Sequence, residues 1–535
     1  MNQGHRFAAP GPDVYRYPLL IRHLLQSAMD NRSTNEIVGT DGRRHGYAEL
    51  DRRIGRLGAV LTDLGVRPGD TIAVMDWDSH RYLEAYFAIP MLGAVLQMVN
   101  VRLSPEQIVF TLQDSGATLL LFHSDFAPLV ADLKGRLPLI DRWIVMHDGA
   151  GVGATSADAE YEALLAAEAE LHPFEDFDEN ALATTFHTTG TTGLPKRVAF
   201  SHRQLVLHTL AIMSAFSMRP ERQRLTTADV YMPLTPMFHV HAWGLPYVAT
   251  LMGVKQVYPG RYIPDRLIAL QRQEDVTFSH GVPTILQMLL GALGDARPSR
   301  PWKMIVGGSA LAQPLHDAAA AHDIHAFAGY GMSETAPVVT LARLDSDDPD
   351  EERGRARLAG QPIPLVQVRV VDTEMQDSAE GELVVRAPWL TAGYGTDEAA
   401  SADLWRGGWL HTQDVARICD RGDVEIRDRL KDVIKTGGEW VSSTQIEELV
   451  MQYPDVAAAA VVGVPDARWG ERPILFVVAS GHHPTLAAMH AHLSLHVDRG
   501  AISRYALPDR LIMLDDLPRT SVGKIDKKAL RNMLA

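Results

Sequence analysis

Residues 188–196 read TTGTTGLPK and form the most informative stretch of the sequence. Backbone N–H groups and hydroxyls are dense in such a loop, so it can surround the oxygens of a polyphosphate with many weak donors and one lysine charge. The spacing differs from that of a Walker phosphate loop, and an ordinary flexible Gly/Thr turn is the alternative interpretation. The residues that would face the phosphates are Thr188, Thr189, Gly190, Thr191, Thr192, Gly193 and Lys196.

Short aliphatic runs alternate with longer helix-period segments on both sides of this loop. Apolar strands that alternate with helices predict an α/β fold with mixed or parallel sheets covered on both faces. The predicted strands are residues 71–75, 118–122, 142–146, 276–280, 303–306 and 326–329, and the predicted helices include 48–64, 82–92 and 203–214. An acidic, alanine-rich segment at 158–170 is interpreted as a helix on a solvated surface connection.

The pattern changes near residue 360, where short alternating strands indicate an antiparallel β subdomain at about residues 355–427. A smaller α/β stretch follows to the end of the chain. We therefore expect a large N-terminal domain at 1–427, a hinge at 428–431 and a small C-terminal domain at 432–535.

The composition limits the class of partner. The chain has 535 residues, 51 basic against 66 acidic side chains and a formal charge of −15, which disfavours nucleic acid and anionic lipid as partners. The single cysteine, Cys419, excludes an internal disulfide and suggests a reducing compartment. The first residues lack a basic head followed by an apolar core, and no apolar run approaches bilayer length. A cytoplasmic protein without stable membrane insertion is the expectation.

A second motif, GYGMSET at residues 329–335, follows a predicted strand. Gly329 and Gly331 would let the backbone approach a flat ligand, while Tyr330 offers a stacking face and Ser333 a phosphate donor. Glu334 supplies the hard oxygen that Mg²⁺ prefers. The alternative is a strand-to-helix turn in which Ser333 serves as an N-cap.

A third motif, PRTSVGKIDK at residues 518–527, lies near the C-terminus. It places Lys524 after a glycine in a turn-rich stretch that leads into a basic helix. Taken alone, the motif favours a basic surface helix over a catalytic lysine.

Together with residues 411–440 (HTQDVARICDRGDVEIRDRLKDVIKTGGEW), these motifs recur in the same order in the adenylate-forming superfamily. The chain resembles the AMP-forming acyl-CoA synthetases, particularly the fatty acyl-CoA ligases, over about residues 45–531. The resemblance implies ATP, Mg²⁺ and coenzyme A as cofactor and co-substrates, a small-molecule carboxylic acid as partner, and a mobile C-terminal domain. It also suggests a homodimer.

The resemblance assigns roles residue by residue. It places Thr188 and Glu334 near Mg²⁺, and the ribose hydroxyls against Asp414 and Arg429. It makes Lys431 the pivot between the domains and Lys524 the lysine that bridges the carboxylate and the α-phosphate. Further nucleotide contacts are implied for Gly308, Gly329, Tyr330, Gly331, Ser333, Lys435 and Trp440.

Residues 237–244 (MFHVHAWG) resemble the stretch that borders the acyl tunnel in fatty acyl-CoA ligases. His239 would then adjoin the carboxyl group, and Trp243 would act as an aromatic gate. Two alternatives stay open: a metal site that uses His239 and His241, and a packed core cluster around Trp243. Further walls of the acid site are implied for Val282, Gly308 and Ser309.

Two positions depart from the family pattern. Arg197 stands where the phosphate loop usually continues with glycine, which predicts extra bulk and charge beside the triphosphate. Gln413 replaces the glycine that usually precedes the ribose-binding aspartate. Neither departure removes a reacting group.

The expected reaction follows from the charges involved. A carboxylate that attacks a phosphate brings two anions together, so Lys524 and Mg²⁺ must offset the negative charge in a site that excludes water. We expect a medium- to long-chain fatty acid, ATP and CoA to give acyl-CoA, AMP and pyrophosphate through an acyl-adenylate. The alternatives are a short-chain acid such as 3-(methylthio)propionate, an aryl acid, a carrier-protein thiol as acceptor, or a non-catalytic nucleotide-binding sensor.

Overall fold

The computed structural model describes residues 6, 8, 10–149, 156–188, 194–437, 439–519 and 525–534. The strands, in chain order, are β1 (Glu36–Val38), β2 (Arg44–Gly46), β3 (Thr71–Met75), β4 (Val95–Met98), β5 (Ala117–His123), β6 (Arg142–Met146), β7 (Ala159–Glu160), β8 (Leu182–Thr188), β9 (Lys196–Ser201), β10 (Val230–Leu234), β11 (Lys255–Val257), β12 (Phe278–Gly281), β13 (Trp302–Val306), β14 (Ile324–Gly331), β15 (Val338–Leu341), β16 (Gln361–Pro362), β17 (Gln367–Val371), β18 (Gly381–Arg386), β19 (Trp405–Arg406), β20 (Trp409–Ile418), β21 (Val424–Arg429), β22 (Ile434–Thr436), β23 (Glu439–Val441), β24 (Val456–Asp466), β25 (Gly470–Ala479) and β26 (Arg510–Met513).

The α-helices lie between these strands on the faces and at the edges of the sheets. In chain order they are α1 (Arg22–Asp30), α2 (Tyr47–Asp63), α3 (His80–Met91), α4 (Pro105–Ser115), α5 (Ala127–Lys134), α6 (Tyr161–Ala167), α7 (His202–Ser217), α8 (Leu245–Leu251), α9 (Pro264–Glu274), α10 (Pro283–Leu293), α11 (Gln313–Ala321), α12 (Pro349–Arg355), α13 (Glu398–Leu404), α14 (Ser443–Val450), α15 (Leu486–Asp498) and α16 (Lys527–Asn532).

Two large sheets form the N-terminal part. The first has seven strands in the order β7-β6-β5-β3-β4-β8-β9, parallel except for the antiparallel pair β8–β9. The second has nine strands in the order β16-β15-β14-β13-β12-β10-β11-β1-β2, with a parallel centre and antiparallel ends. Parallel strands buried on both faces explain the continuous aliphatic runs of the sequence.

Helix α3 packs against helix α2 and against strands β3, β4 and β8 of the seven-stranded sheet. All twelve of its residues are buried, which fits a sequence that is apolar around most of the helix. Its acidic Glu84 is compensated by Arg53, whose Nε donates to Glu84 Oε1 at 2.7 Å. Tyr86 on the same helix donates to the carbonyl of Met237, which connects the helix to the second half of the domain.

Two smaller sheets follow. One contains β17–β18–β20–β19 with β21 paired to β20, and the other contains β23–β22–β25–β24 with β26 paired to β25. The fold class is thus confirmed: a large N-terminal domain of stacked sheets with a β subdomain, followed by a smaller α/β domain. Strand β21 runs to Arg429, so the first two residues of the expected hinge lie in a strand.

Most predicted elements are confirmed within a few residues, but the acidic segment at 158–170 is not the helix expected. Residues 159–160 form strand β7, and α6 covers only residues 161–167. The segment is also better anchored than a solvated connection, because Tyr161 is 1% exposed and Glu162 pairs with Arg53 at 2.8 Å. Within the described ranges, no helix combines the length and apolar composition needed to cross a bilayer.

Candidate functional site

The ends of the predicted phosphate loop are held together as a β-hairpin. Thr188, the last residue of β8, lies opposite Lys196, the first residue of β9, and its Oγ1 donates to the Lys196 carbonyl at 3.4 Å. Thr189, Gly190, Thr191, Thr192 and Gly193 lie outside the described residues. Their predicted contacts with phosphate therefore stay predictions, although the hairpin fixes where the loop begins and ends.

A tyrosine that sequence analysis did not select connects this hairpin to the second motif. Tyr394 donates from its hydroxyl to Glu334 Oε1 at 2.6 Å, and Lys196 Nζ lies 4.8 Å from the centre of the Tyr394 ring. Glu334 is 6% exposed. Burial, and then the Glu334 carboxylate, raise the pKa of Tyr394, so its hydroxyl remains a donor. The carboxylate oxygens and the hydroxyl of Thr188 are the hard ligands that Mg²⁺ favours.

A second group of predicted residues meets on strands β14, β20 and β21. The Tyr330 hydroxyl donates to Asp414 Oδ2 at 2.6 Å, and Arg429 Nε lies 3.4 Å from Asp414 Oδ1. Asp414 and Arg429 are direct cross-strand partners. Burial, and then Asp414, raise the pKa of Tyr330 well above its ordinary value. The group presents a fixed carboxylate beside an aromatic ring and a cation.

The glycines of the second motif serve the protein's own packing. A Cβ at Gly329 would lie 2.8 Å from Ile305 Cγ2, and one at Gly331 would lie 1.7 Å from the carbonyl oxygen of Pro337. The expectation that these glycines admit a flat ligand is thus incomplete, because the chain itself already excludes a side chain there. Ser333 opens a short 3₁₀ turn whose N-cap is Met332, so Ser333 is not the N-cap.

The side chain of Arg197 is held by Asp114. Its Nη1 donates to the Asp114 carbonyl at 2.7 Å, and its Nε lies 3.3 Å from the Asp114 carboxylate. Successive strand residues point to opposite faces, so Arg197 leaves the face that carries Lys196. Asp114 thus holds the guanidinium on the opposite face, and the expectation of extra charge beside the triphosphate stays a prediction.

Gln413 occupies its glycine-like position at the cost of an unfavourable backbone conformation. Its φ is +62°, and both its backbone N–H and its Nε2 donate to Glu382 Oε1, at 3.0 and 3.1 Å. Its carbonyl accepts from Leu430 N at 2.9 Å, next to the expected hinge. A side-chain clamp onto Glu382 thus stabilises a turn that glycine would adopt more easily.

The predicted acyl stretch forms an unusual left-handed turn. Five consecutive residues, 240–244, have φ values between +45° and +76°, and Val240 is β-branched. Such a run costs about 1–3 kcal/mol per non-glycine residue and persists only when the surroundings impose it. Here Asp78 Oδ1 accepts from Met237 N at 2.7 Å, and His241 Nε2 lies 2.7 Å from Thr184 Oγ1.

Trp243 belongs to this turn, and its side chain is buried, with 6% exposed. Its ring lies 5.1 Å from that of His280, and a Cβ at Gly307 would lie 3.0 Å from its Cη2 atom. A Cβ at Gly307 would also clash with the carbonyl of Gly329, the first residue of the second motif. Gly307 therefore lies against both the tryptophan and that motif. His239, just before the turn, and Val282, just after β12, are half-buried. Gly308 and Ser309 follow β13 and are exposed.

The histidines of this stretch do not form a metal site. His241 is fully buried among Phe186, Phe200 and Tyr86, and burial lowers its pKa to about 3. Among the residues that the structure describes, no group of three or more histidine, cysteine or carboxylate side chains could hold a metal ion. The metal interpretation of His239 and His241 was therefore wrong.

A cavity of about 230 Å³ lies beside the same turn. Burial raises the pKa of its Asp78 to about 7, while Tyr262 donates to Asp78 Oδ2 at 2.5 Å. Aromatic rings and two guanidinium groups complete the lining, which consists of Trp77, Asp78, Arg102, Pro236, Phe238, Gly260, Arg261 and Tyr262.

The C-terminal residues are not gathered with these groups. Lys435 and Trp440 face each other on the β22–β23 hairpin, with Lys435 Nζ 5.5 Å from the centre of the indole. Trp440 lines a small depression with Val415 and Arg427. Val415 follows Asp414 and points to the other face of β20, so the hairpin packs away from the Asp414 carboxylate. Lys524 lies outside the described residues, and Lys431 is exposed.

Comparison with known proteins identifies the family. The model of the AMP-binding enzymes matches residues 25–395, and the model of the AMP-binding enzyme C-terminal domain matches residues 445–524. The chain is 41% identical to a long-chain-fatty-acid–CoA ligase from Thermus thermophilus over 91% of this chain and 89% of that protein. It is 34% identical to a 3-methylmercaptopropionyl-CoA ligase from Ruegeria lacuscaerulensis over 96% of this chain and 97% of that protein.

Among solved structures, a fatty acyl-CoA synthetase from Mycobacterium tuberculosis is 25% identical, with a TM-score of 0.71 over 96% of this chain and 98% of that one. The first family model alone covers well over half of the chain. On the sequence matches and the shared architecture, this chain belongs to the family of AMP-binding enzymes.

Proposed function

We propose that this protein is an ATP-dependent acyl-CoA ligase that converts a carboxylic acid, ATP and CoA to acyl-CoA, AMP and pyrophosphate through an acyl-adenylate. The observation that carries the proposal is the convergence of two groups on strand β14 and the turn after it. Tyr330 holds the Asp414–Arg429 pair. Four residues later, Glu334 accepts from Tyr394, whose ring lies 4.8 Å from Lys196 Nζ at the start of β9.

Each group suits one part of the nucleotide. The Asp414 carboxylate is fixed by Tyr330 and can accept hydrogen bonds from the two ribose hydroxyls. The hairpin end brings Thr188 and Lys196 toward the phosphates, and residues 189–193 would supply the remaining donors.

The acidic residue of the second group suits a divalent cation. Glu334 and Thr188 would hold Mg²⁺, which when bound would offset the charge of the leaving pyrophosphate. Tyr394 fixes the orientation of Glu334 by donating to one carboxylate oxygen. Buried, preorganised groups of this kind avoid reorganisation cost during the reaction.

The acid would bind on the side of the left-handed turn. His239 would adjoin its carboxyl group and Trp243 would border the chain, with Val282, Gly308 and Ser309 further along the same sheet edge. Lys524 would approach from the C-terminal domain to offset charge on the attacking carboxylate. After adenylation that domain would rotate about Lys431 and bring Lys435 and Trp440 to the nucleotide.

A medium- to long-chain fatty acid is the proposed substrate, supported by the long-chain ligase of Thermus thermophilus. A short acid, 3-(methylthio)propionate, is the second candidate, because a 3-methylmercaptopropionyl-CoA ligase is also 34% identical. A cytoplasmic location and a homodimer belong to the same proposal, the former supported by the single cysteine.

The test is a pyrophosphate-release assay with ATP, Mg²⁺, CoA and acids of increasing chain length, together with 3-(methylthio)propionate and an aryl acid. Formation of AMP and acyl-CoA with any aliphatic acid supports the ligase. Nucleotide binding without pyrophosphate exchange for every acid contradicts it and favours a sensor. Lys524→Ala should abolish adenylation and leave transfer from pre-made acyl-AMP to CoA intact.

A further inference from the structure

A buried chain of hydrogen bonds joins the expected hinge to the start of helix α16. Asp428 Oδ2 accepts from the backbone N and the Oγ of Ser443, at 2.5 and 2.6 Å. Lys527 Nζ donates to the same Ser443 Oγ at 2.6 Å and pairs with Glu447 Oε1 at 2.8 Å. Ser443 thus relays between a hinge carboxylate and a C-terminal lysine.

These groups are buried, which distinguishes them from ordinary surface pairs. Asp428 is 2% exposed and Ser443 is fully buried, while the Lys527 and Glu447 side chains are 13% and 15% exposed. Buried charges are costly unless paired and hydrogen-bonded, and removing one partner of such a pair is strongly destabilising. Glu447 also accepts from Val461 N at 2.7 Å. The relay therefore holds its members in one fixed geometry.

A second contact joins the same helix to the hinge. Arg531, four residues after Lys527 and on the same helix face, donates to Asp432 Oδ1 at 2.7 Å and to the Lys431 carbonyl at 3.4 Å. Helix α16 begins three residues after Lys524. The hinge is thus joined at two points to the helix that follows the Lys524 motif.

The two contacts differ in what a domain rotation would do to them. Asp428 precedes Lys431 in the chain, whereas Ser443 and Lys527 follow it. Rotation about Lys431 would separate Asp428 from Ser443. Asp432 and Arg531 both follow the pivot and would move together. The Asp428 contact therefore belongs to one orientation only, the one in which Trp440 packs beside Val415 and away from Asp414.

We propose that Asp428, Ser443 and Lys527 form an orientation-specific latch of positioning residues that holds the C-terminal domain in its adenylating orientation and opens before thioester formation. The inference rests on the proposed function for the meaning of the two orientations. It assigns no role at the reacting atoms to any of the three residues.

The test compares Lys527→Met with Lys528→Met, because Lys528 is the adjacent exposed lysine and its loss changes the net charge equally. Asp428→Asn and Ser443→Ala break the latch with smaller changes, should Lys527→Met fail to fold. ATP–pyrophosphate exchange measures adenylation, and transfer from synthetic acyl-AMP to CoA measures the second half-reaction. Because the proposed adenylation needs the C-terminal domain in this orientation, loss of the latch should slow adenylation about 10- to 100-fold.

The latch variants should leave transfer to CoA at or above the wild-type rate, and Lys528→Met should match the wild type in both half-reactions. Equal losses in both half-reactions, or a Lys528→Met variant that behaves like Lys527→Met, would overturn the latch.

A second readout needs no activity. Arg429 and Lys431 are exposed trypsin sites in the hinge, so opening of the latch should accelerate cleavage there in Asp428→Asn and Ser443→Ala. Unchanged cleavage in both variants would overturn the latch. A wild-type protein that adenylates no acid would overturn the proposed function, while the cleavage rates would still decide the latch.

Discussion

Replacing Asp414 by asparagine separates recognition of the ribose from every other part of nucleotide binding. The substitution keeps the size of the side chain and one oxygen that can accept from the Tyr330 hydroxyl, now 2.6 Å from Asp414 Oδ2. It removes the negative charge that faces Arg429 at 3.4 Å. The fold should therefore persist, and the change should appear in the affinity for ATP.

The expected magnitude follows from the strength of hydrogen bonds to a charged acceptor. Such a bond contributes about 1.5–3 kcal/mol, against about 0.5–1.5 kcal/mol for a neutral pair. Two ribose hydroxyls that bind a carboxylate would lose about 2–3 kcal/mol in total, which is about a 30- to 150-fold rise in the KM for ATP. The rate at saturating ATP should change much less, because the carboxylate is remote from the reacting atoms.

The assay is a cycle of two enzymes and two nucleotides, with pyrophosphate release as the readout. In the wild type, 2′-deoxyATP should be a much poorer substrate than ATP, and in Asp414→Asn this penalty should shrink roughly fivefold or more. Asp420→Asn, an exposed aspartate on the turn after β20, is the matched control and should keep the full penalty. An equal penalty for 2′-deoxyATP in all three proteins would refute the assignment of Asp414 to the ribose.

Three further outcomes are expected. Tyr394→Phe removes a charged hydrogen bond to Glu334 and should raise the half-saturating Mg²⁺ concentration about 10- to 100-fold; an unchanged Mg²⁺ titration would contradict this role. Trp243→Ala should lower the free energy of unfolding by about 3–5 kcal/mol in urea titrations. It should also raise kcat/KM for longer acids relative to shorter ones, whereas lost stability with an unchanged preference would make it a core residue only. Burial lowers the pKa of three histidines to about 3. Below about pH 6.5 the unfolded chain therefore binds more protons than the folded chain. The free energy of unfolding should fall as the pH drops, by up to about 1.4 kcal/mol per pH unit for each ring. Urea titrations from about pH 7.5 to 5 measure this loss of stability, which comes from the rings of His208, His241 and His280. A free energy of unfolding that does not change with pH would contradict it.

The layered architecture was predictable because it depends on local patterns. The aliphatic run at 71–75 and the run at 142–146 match β3 and β6 residue for residue, since parallel strands buried on both faces are continuously apolar. The segment at 158–170 was predicted wrongly, because alanine and glutamate favour a helix. Tertiary contacts override this preference: Tyr161 is buried and Glu162 pairs with Arg53.

The site was predictable in its motifs and less so in its geometry. Tyr394 carries no charge and lies sixty residues from Glu334, so only the sheet could reveal that they meet. A glycine-flanked aromatic in TAGYG was the available signal. The direction of the Arg197 side chain could be predicted from strand alternation once β9 was assigned. Its partner Asp114 could not, because it lies near the end of α4, far away in the sequence. Contacts of high sequence separation are what a pattern along the chain cannot supply.

The departures from the family pattern concern support of the site and not its chemistry. Gln413 replaces a glycine at φ +62°, and its side chain and backbone both donate to Glu382, while its carbonyl accepts from Leu430 beside the hinge. The same short segment therefore connects the Asp414 carboxylate to the start of the expected hinge. Glu382 also accepts from His411 at 2.8 Å, so the turn is fixed on both sides. A glycine here would relieve the strained backbone but release the clamp, so Gln413 holds the Asp414 carboxylate and the expected hinge in one rigid segment.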